Sequence, residues 1–213
     1  MTNSIKKGLA SSLVLLACGF IPAMAQERTN KLSFGVRGGL NLSNIIKSDG
    51  STVASEMKPG FNAAIFLVLP IANTFSVQPE LQYSQKGYKS SGSFLGSPYN
   101  YTAETDYVEV PLLAKFSPSR SFAIVVGPQF SFLTSTKYTF KASNTGYENV
   151  INNDNNNLRK NTLGGVAGIE AGAGKFIFSA RYSLDFQTNN GDGTSSTPQY
   201  KNQVVGLSVG FKL

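Results

Sequence analysis

The sequence has no histidine, no tryptophan and one cysteine, and only 15% of its residues are charged. Without imidazole there is no Ser-His-Asp hydrolysis, no Cys-His chemistry and none of the common zinc sites. Long apolar runs are also missing. The longest, Leu9 to Ala17 with its flanks, is shorter than the roughly 20 residues a helix needs to cross a bilayer. What remains is a chain of 213 residues with 41% hydrophobic content, enough for a real core in one domain or a lean two.

Residues 1–25 have the layout of a secretory leader. Lys6 and Lys7 form its positive end, Leu9 to Ala17 its apolar stretch, and Ala23-Met24-Ala25 a small-x-small cleavage site before Gln26. A lipoprotein signal is the competing reading, because Leu15-Leu16-Ala17 precedes Cys18. The residues after Cys18, Gly19-Phe20-Ile21-Pro22, are apolar rather than a polar tether, so ordinary cleavage is expected. The mature chain is then 26–213, without cysteine, so disulfides and thiol chemistry drop out. Without Lys6 and Lys7, 17 basic residues face 12 acidic ones. They are spread singly from Arg28 to Lys212, with no run longer than Arg159-Lys160, which is not the footprint of a nucleic-acid binder.

Along the mature chain apolar residues return at every second position, the period of a strand with two unlike faces. Leu32, Phe34, Val36, Leu40 and Leu42 share one parity; Ser33, Arg37, Asn41 and Ser43 share the other. The alternation recurs in 61–69, 75–86, 107–117, 122–134, 163–171, 176–187 and 203–213, giving eight strands, most of them near the 9–11 residues of a tilted membrane strand. The connections alternate too. Segments 46–58, 87–106, 135–162 and 188–202 are long and polar, whereas 70–74, 118–121 and 172–175 are tight turns. Long loops at one end and turns at the other are the pattern of an up-and-down outer-membrane barrel, with the turns in the periplasm.

The polar parity carries Arg37, Glu80, Lys86, Glu109, Lys115, Glu170, Arg181, Asp185 and Lys212. In a membrane barrel this face lines the lumen. The aromatics separate that reading from a soluble barrel with its apolar face inward. Phe34, Phe75, Phe116, Phe122, Phe178 and Phe211 lie beside the turns or termini, and Phe61, Tyr83, Phe132 and Phe186 beside the long loops. Two rings at two heights are what the headgroup levels of a bilayer select. Pro79, Pro111 and Pro128 fall inside strands, where each removes a ladder donor, and bulges are expected there. The glycine-rich segment 162–175 leaves its register open, and Asn152 to Asn157 is low-complexity.

The run Leu32-Ser-Phe-Gly-Val-Arg-Gly-Gly-Leu-Asn-Leu-Ser43, with Gln78-Pro-Glu-Leu-Gln-Tyr-Ser-Gln-Lys-Gly87, Tyr107-Val-Glu-Val-Pro-Leu-Leu-Ala-Lys-Phe116, Gly127-Pro128 and Arg181-Tyr-Ser-Leu184, resembles the PorT-like outer-membrane β-barrel family of Bacteroidota. The likeness extends over essentially the whole mature chain. It implies an eight-stranded outer-membrane barrel and makes the three prolines less surprising. It implies little activity.

Motifs with chemical meaning fail on inspection. Gly206-Leu-Ser208-Val-Gly210 spells a nucleophile elbow, but it lies in a strand of a chain without histidine and reads as small residues facing a narrow lumen. A phosphate loop ending at Lys175 needs glycine at 169 and serine or threonine at 176, where Ile169 and Phe176 stand. A calcium loop from Asp154 and Asn156 would need glycine at Arg159 and glutamate at Gly165. Glu80 with Glu109 offers a carboxylate pair for acid–base work. Buried carboxylates in a small barrel are more often matched by cations, and Arg37, Lys115 and Arg181 are at hand.

The expectation is an all-β, eight-stranded antiparallel up-and-down transmembrane barrel over 26–213. Its lumen carries a structural charge network of Arg37, Glu80, Glu109, Lys115, Arg181 and Asp185. No catalytic residue, metal or cofactor is expected. The expected partners are the outer-membrane lipid bilayer and an unidentified extracellular or periplasmic protein. A non-enzymatic structural, surface-interaction or assembly role leads. The alternatives are a small-solute conduit, a histidine-free barrel enzyme and a soluble periplasmic barrel with its faces reversed.

Overall fold

The computed structural model describes residues 31–47, 55–94, 97–142, 147–152, 158–191 and 199–213. The expected leader with Cys18, and Asp154 with Asn156, lie outside the described residues. The strands are β1 (Ser33–Lys47), β2 (Ser55–Ala72), β3 (Phe75–Phe94), β4 (Ser97–Phe116), β5 (Phe122–Ala142), β6 (Tyr147–Asn152), β7 (Asn161–Ala173), β8 (Phe176–Asp185) and β9 (Tyr200–Lys212). All pairings are antiparallel. Each of β1 to β5 pairs with the next, β5 pairs with β7, and β8 and β9 lead back to β1, so eight strands close a ring. Closure leaves no free edge, the condition a sheet must meet in a membrane.

One strand, β6, stands outside that ring. Short β6 pairs only with Lys137–Ala142 at the far end of β5, within a segment the sequence reads as loop. The same correction applies to 87–106. There β3 and β4 continue paired to Phe94 opposite Ser97, so the expected loop is mostly a hairpin of two 20-residue strands. That is about twice the length a tilted strand needs to cross a membrane. Serine, threonine and tyrosine on both faces hide such a stretch from an apolar alternation test, although the β-propensity of the tyrosines and threonines supports it.

The parity argument meets its direct test in exposure. Phe34, Val36, Leu40, Phe61, Ile65, Val126, Phe132, Ile169, Phe178 and Leu207 all point outward and are exposed, while Arg37, Glu80, Lys86, Glu109, Lys115, Glu170 and Arg181 are buried. A soluble barrel would invert this. The outward aromatics pack along both girdles, with Phe176 edge-on to Phe211 at 5.4 Å at the turn end and Phe61 against Tyr83 at 5.3 Å at the other.

The prolines do not make the expected bulges. Pro79, Pro111 and Pro128 lie on one diagonal across β3, β4 and β5, and the register is the same on either side of each. Each missing donor interrupts the ladder locally without adding a residue. The register shifts lie elsewhere, between Met57 and Asn62 and between Pro70 and Ala72 in β2, and opposite Asp106/Tyr107 in β5. The glycine-rich β7 is regular against both neighbours, because inward Val166 and Glu170 and outward Ile169 and Ala171 hold its faces. Gly174, with φ of 62°, makes the two-residue turn into β8.

Candidate functional site

The lumen is where the chain concentrates its polar chemistry. Around its middle the inward parity of five strands delivers four cations, Arg37, Lys86, Lys115 and Arg181, and four carboxylates, Glu80, Glu109, Glu170 and Asp185, all buried. The charges cancel. Burial of an ion is offset only when good geometry and further hydrogen bonds satisfy it, and here both are present at every charge, with Arg37 Nε alone among the network's charged groups lacking a partner.

Towards the turns, Glu80 is the hub. It accepts two bonds from Arg181, Nη1 to Oε2 at 2.8 Å and Nη2 to Oε1 at 2.9 Å, and it pairs with Arg37 at 2.6 Å. This is the bidentate fork for which guanidinium is suited. Arg181 Nη2 also donates to Glu170 Oε1 at 2.6 Å, and Glu170 pairs with Lys115 at 2.5 Å. Gln78 donates to Glu80 and Glu170 while accepting from Lys115. Towards the loops, Lys86 serves two acids, Glu109 at 2.7 Å and Asp185 at 3.4 Å, and lies 4.8 Å from the centre of the Tyr107 ring. Gln129 and Ser131 complete Glu109, and Asn202 donates to Asp185 at 2.7 Å. Gln82 joins the two halves by accepting from Arg37 and donating to Glu109 Oε2 at 2.8 Å.

The six expected residues therefore fall into one connected system, with Arg37, Glu80, Lys115 and Arg181 in one half and Glu109 and Asp185 in the other. Glu80 and Glu109 are not a catalytic pair in this geometry, since each is held by cations and amides of its own. The sequence reading omits from the network two residues that it had placed on the polar parity, Lys86 and Glu170. It misses Gln78, Gln82, Gln129 and Asn202 altogether. The signal was present for Gln78 and Gln82, which share the parity of Glu80 in β3, and for Gln129, which shares that of Ser131 in β5; Asn202 falls in the segment 188–202, which the sequence reads as a loop.

Local sequence explains how two long guanidinium groups fit. Arg181 lies between Gly168 of β7 and Gly206 of β9, and Arg37 faces Gly210 of β9. A Cβ at Gly168 would sit 2.7 Å from Arg181 Cγ and 2.6 Å from the Ala180 carbonyl oxygen. The apparent elbow motif is thus a row of small inward residues, Gly206 and Gly210 beside the arginines and Ser208 opposite Ser179.

Polar groups do not fill the lumen alone. Leu113, Val125 and Val166 form one buried apolar cluster, and Phe66, Val68 and Ile177 another. Between network and wall the mid-lumen cavity is about 20 Å³, room for about one water. At the turn end lies a larger space of about 430 Å³, which Lys115, Glu170, Arg120 and Lys212 border. Beyond the upper aromatic girdle, Tyr88, Tyr101 and Tyr138 continue the inward parity of β3, β4 and β5 as a wall, with ring centres 6.0 Å apart at each step. Tyr200 closes on Tyr88 edge-on at 5.6 Å. Burial raises the phenols of Tyr88 and Tyr101, which stay neutral donors.

A family model described as "Outer membrane protein beta-barrel domain" matches residues 24–189. No curated protein matches the sequence. Among solved structures the chain is similar to Ail, the attachment invasion locus protein of Yersinia pestis, at 14% identity and a TM-score of 0.46, over 85% of this chain and 98% of that one. It is also similar to Neisserial surface protein A, at 12% identity and a TM-score of 0.49, over 86% and 99%. OprG of Pseudomonas aeruginosa gives 11% identity and a TM-score of 0.35, over 85% and 95%. With a closed eight-strand ring, an apolar exterior and a match over more than half its length, the chain belongs to the outer membrane protein beta-barrel domain family.

Proposed function

We propose that this is a non-enzymatic outer-membrane protein whose barrel is a sealed pedestal and whose extended strand end is its working surface. The observation that carries the reading is the closed middle of the lumen. A neutral, mutually bonded network and two apolar clusters leave about 20 Å³ there, too little for a solute path. The six residues named from sequence, with Lys86 and Glu170, have a structural role: they hold the wall together from within. Each of the four carboxylates is held by at least one buried cation, the arrangement of a structural ion pair rather than of a free general base.

In this reading the short turns face the periplasm, and the paired extensions of β3, β4 and β5 rise from the outer surface. Tyr88, Tyr101 and Tyr138 form their concave side, an arrangement suited to contact with another macromolecule because each ring combines apolar area with a polar tip. The motifs around Gln78–Gly87 and Tyr107–Phe116 support placement among the PorT-like barrels of Bacteroidota, as an interaction or assembly component.

The sealed lumen makes a definite expectation in planar bilayers. Purified, heat-modifiable protein should insert without producing single-channel steps. Reproducible steps that disappear on boiling the sample would replace the sealed pedestal with a conduit.

Export supplies a second expectation. Cleavage between Ala25 and Gln26 should leave an unlipidated mature chain, read by mass spectrometry of protein from the outer membrane. A peptide beginning at an acylated Cys18 would overturn it.

A further inference from the structure

We infer that the turn end of the barrel is a blind binding site for a small phosphate-class anion. The space of about 430 Å³ at this end is within the range of small-ligand pockets. Phe66, Val68 and Ile177 pack together beneath it, and Val68 and Ile177 form part of its wall. On the side of the lumen it is bordered by these apolar side chains together with the paired Lys115 and Glu170 of the network.

Its charge is unlike that of the network above. The eight network charges cancel, so Lys115 and Glu170 already answer each other and Arg181. Lys31, Arg120 and Lys212, which also line the space, are in none of the ion pairs among the described residues. Lys212 projects on the inward parity of β9, beside Gly35 of β1, and no carboxylate lies within ion-pair distance of it among the described residues. A natural barrel rarely gathers unmatched cations in a half-enclosed mouth, because their repulsion and desolvation oppose folding. An anion held there removes that cost.

Hydroxyls complete the chemistry. Ser76, Ser117 and Ser121 line the same space with the cations. Cations plus several hydroxyl donors around a compact volume match the multiple acceptor oxygens of a phosphate. The group has two sources of identical chemistry, free phosphate or phosphate ester in solution, and the headgroup of a lipid in the adjoining leaflet. Only the compartment that supplies it depends on the orientation proposed above; the site itself does not.

Protein refolded in a maltoside detergent, which brings no phosphate, would be titrated calorimetrically with inorganic phosphate at low ionic strength. One saturable site is expected. Lys212→Gln should weaken it about tenfold or more, the loss of one charge-assisted bond. Lys137→Gln, with the same charge change at the opposite end, should leave it unaltered. If Lys212→Gln does not give a heat-modifiable barrel, Arg120→Gln in the exposed turn provides the same comparison. Repeating the wild-type titration in phosphatidylglycerol nanodiscs separates the sources. Loss of free-phosphate binding there assigns a resident headgroup, and its retention assigns a soluble anion. Absence of saturable binding by folded wild type in maltoside overturns the site. So does equal weakening by Lys137→Gln, or binding of an acidic peptide by protein that ignores phosphate.

Discussion

Lys86→Met is expected to destabilise the folded barrel by about 3–5 kcal/mol, the cost of breaking a buried ion pair from one side. Lys86 is the only cation within ion-pair distance of Glu109 or Asp185 among the described residues, so one substitution strands two buried carboxylates. Arg37→Met should cost markedly less, because Glu80 keeps its two-bonded contact with Arg181. The order of the two effects is the informative result. A simple count of lost contacts would rank the arginine, with its several bonds, above the lysine. Pairing Lys86→Met with Asp185→Asn should recover part of the loss, since one stranded charge is then gone. Urea unfolding from lipid vesicles can be followed by far-ultraviolet circular dichroism or gel mobility; tryptophan emission cannot serve, as the chain has no tryptophan. Equal stability of Lys86→Met and wild type would mean that the network contributes nothing to the barrel.

This prediction concerns a residue the sequence places correctly but undervalues, and the reason is physical. Alternation assigns Lys86 to the polar face by parity alone. Its central position depends on Asp185 approaching from β8, nearly a hundred residues away, through the closure of the ring. Period and connection length are local properties, so the eight ring strands and their two faces were legible. Which cation meets which acid is set by strand stagger, which the sequence does not display. The apolar clusters show the other limit. Ile65-Phe66-Leu67-Val68-Leu69 is apolar on both parities, the pattern of a strand covered on both sides. In this barrel lipid covers one side, while Phe66 and Val68 pack against Ile177 on the other. The long external hairpin escaped for the opposite reason: its two faces are both polar and aromatic, so alternation vanished while the strand continued.

Val126→Arg tests the claim on which all else depends, that the exposed apolar face meets lipid. Val126 is 54% exposed in the middle of the outward row of β5, paired with Ala114 on one side and Ala167 on the other. Were this surface bathed in water, a charge there would change stability little, as most exposed substitutions do. At bilayer depth it should cost about 2–4 kcal/mol. Ser135→Arg on the same strand supplies the control for depth. Ser135 is exposed beyond Phe132 of the upper girdle, opposite Asp106, and an arginine there should cost about 0–1 kcal/mol. Both variants would be refolded into vesicles and unfolded in urea beside wild type. A large loss for Val126→Arg with a small one for Ser135→Arg places the apolar band between the two aromatic rings in the hydrocarbon. Equal small losses would put both positions in water, and the reading of the outward face as a membrane surface would fall.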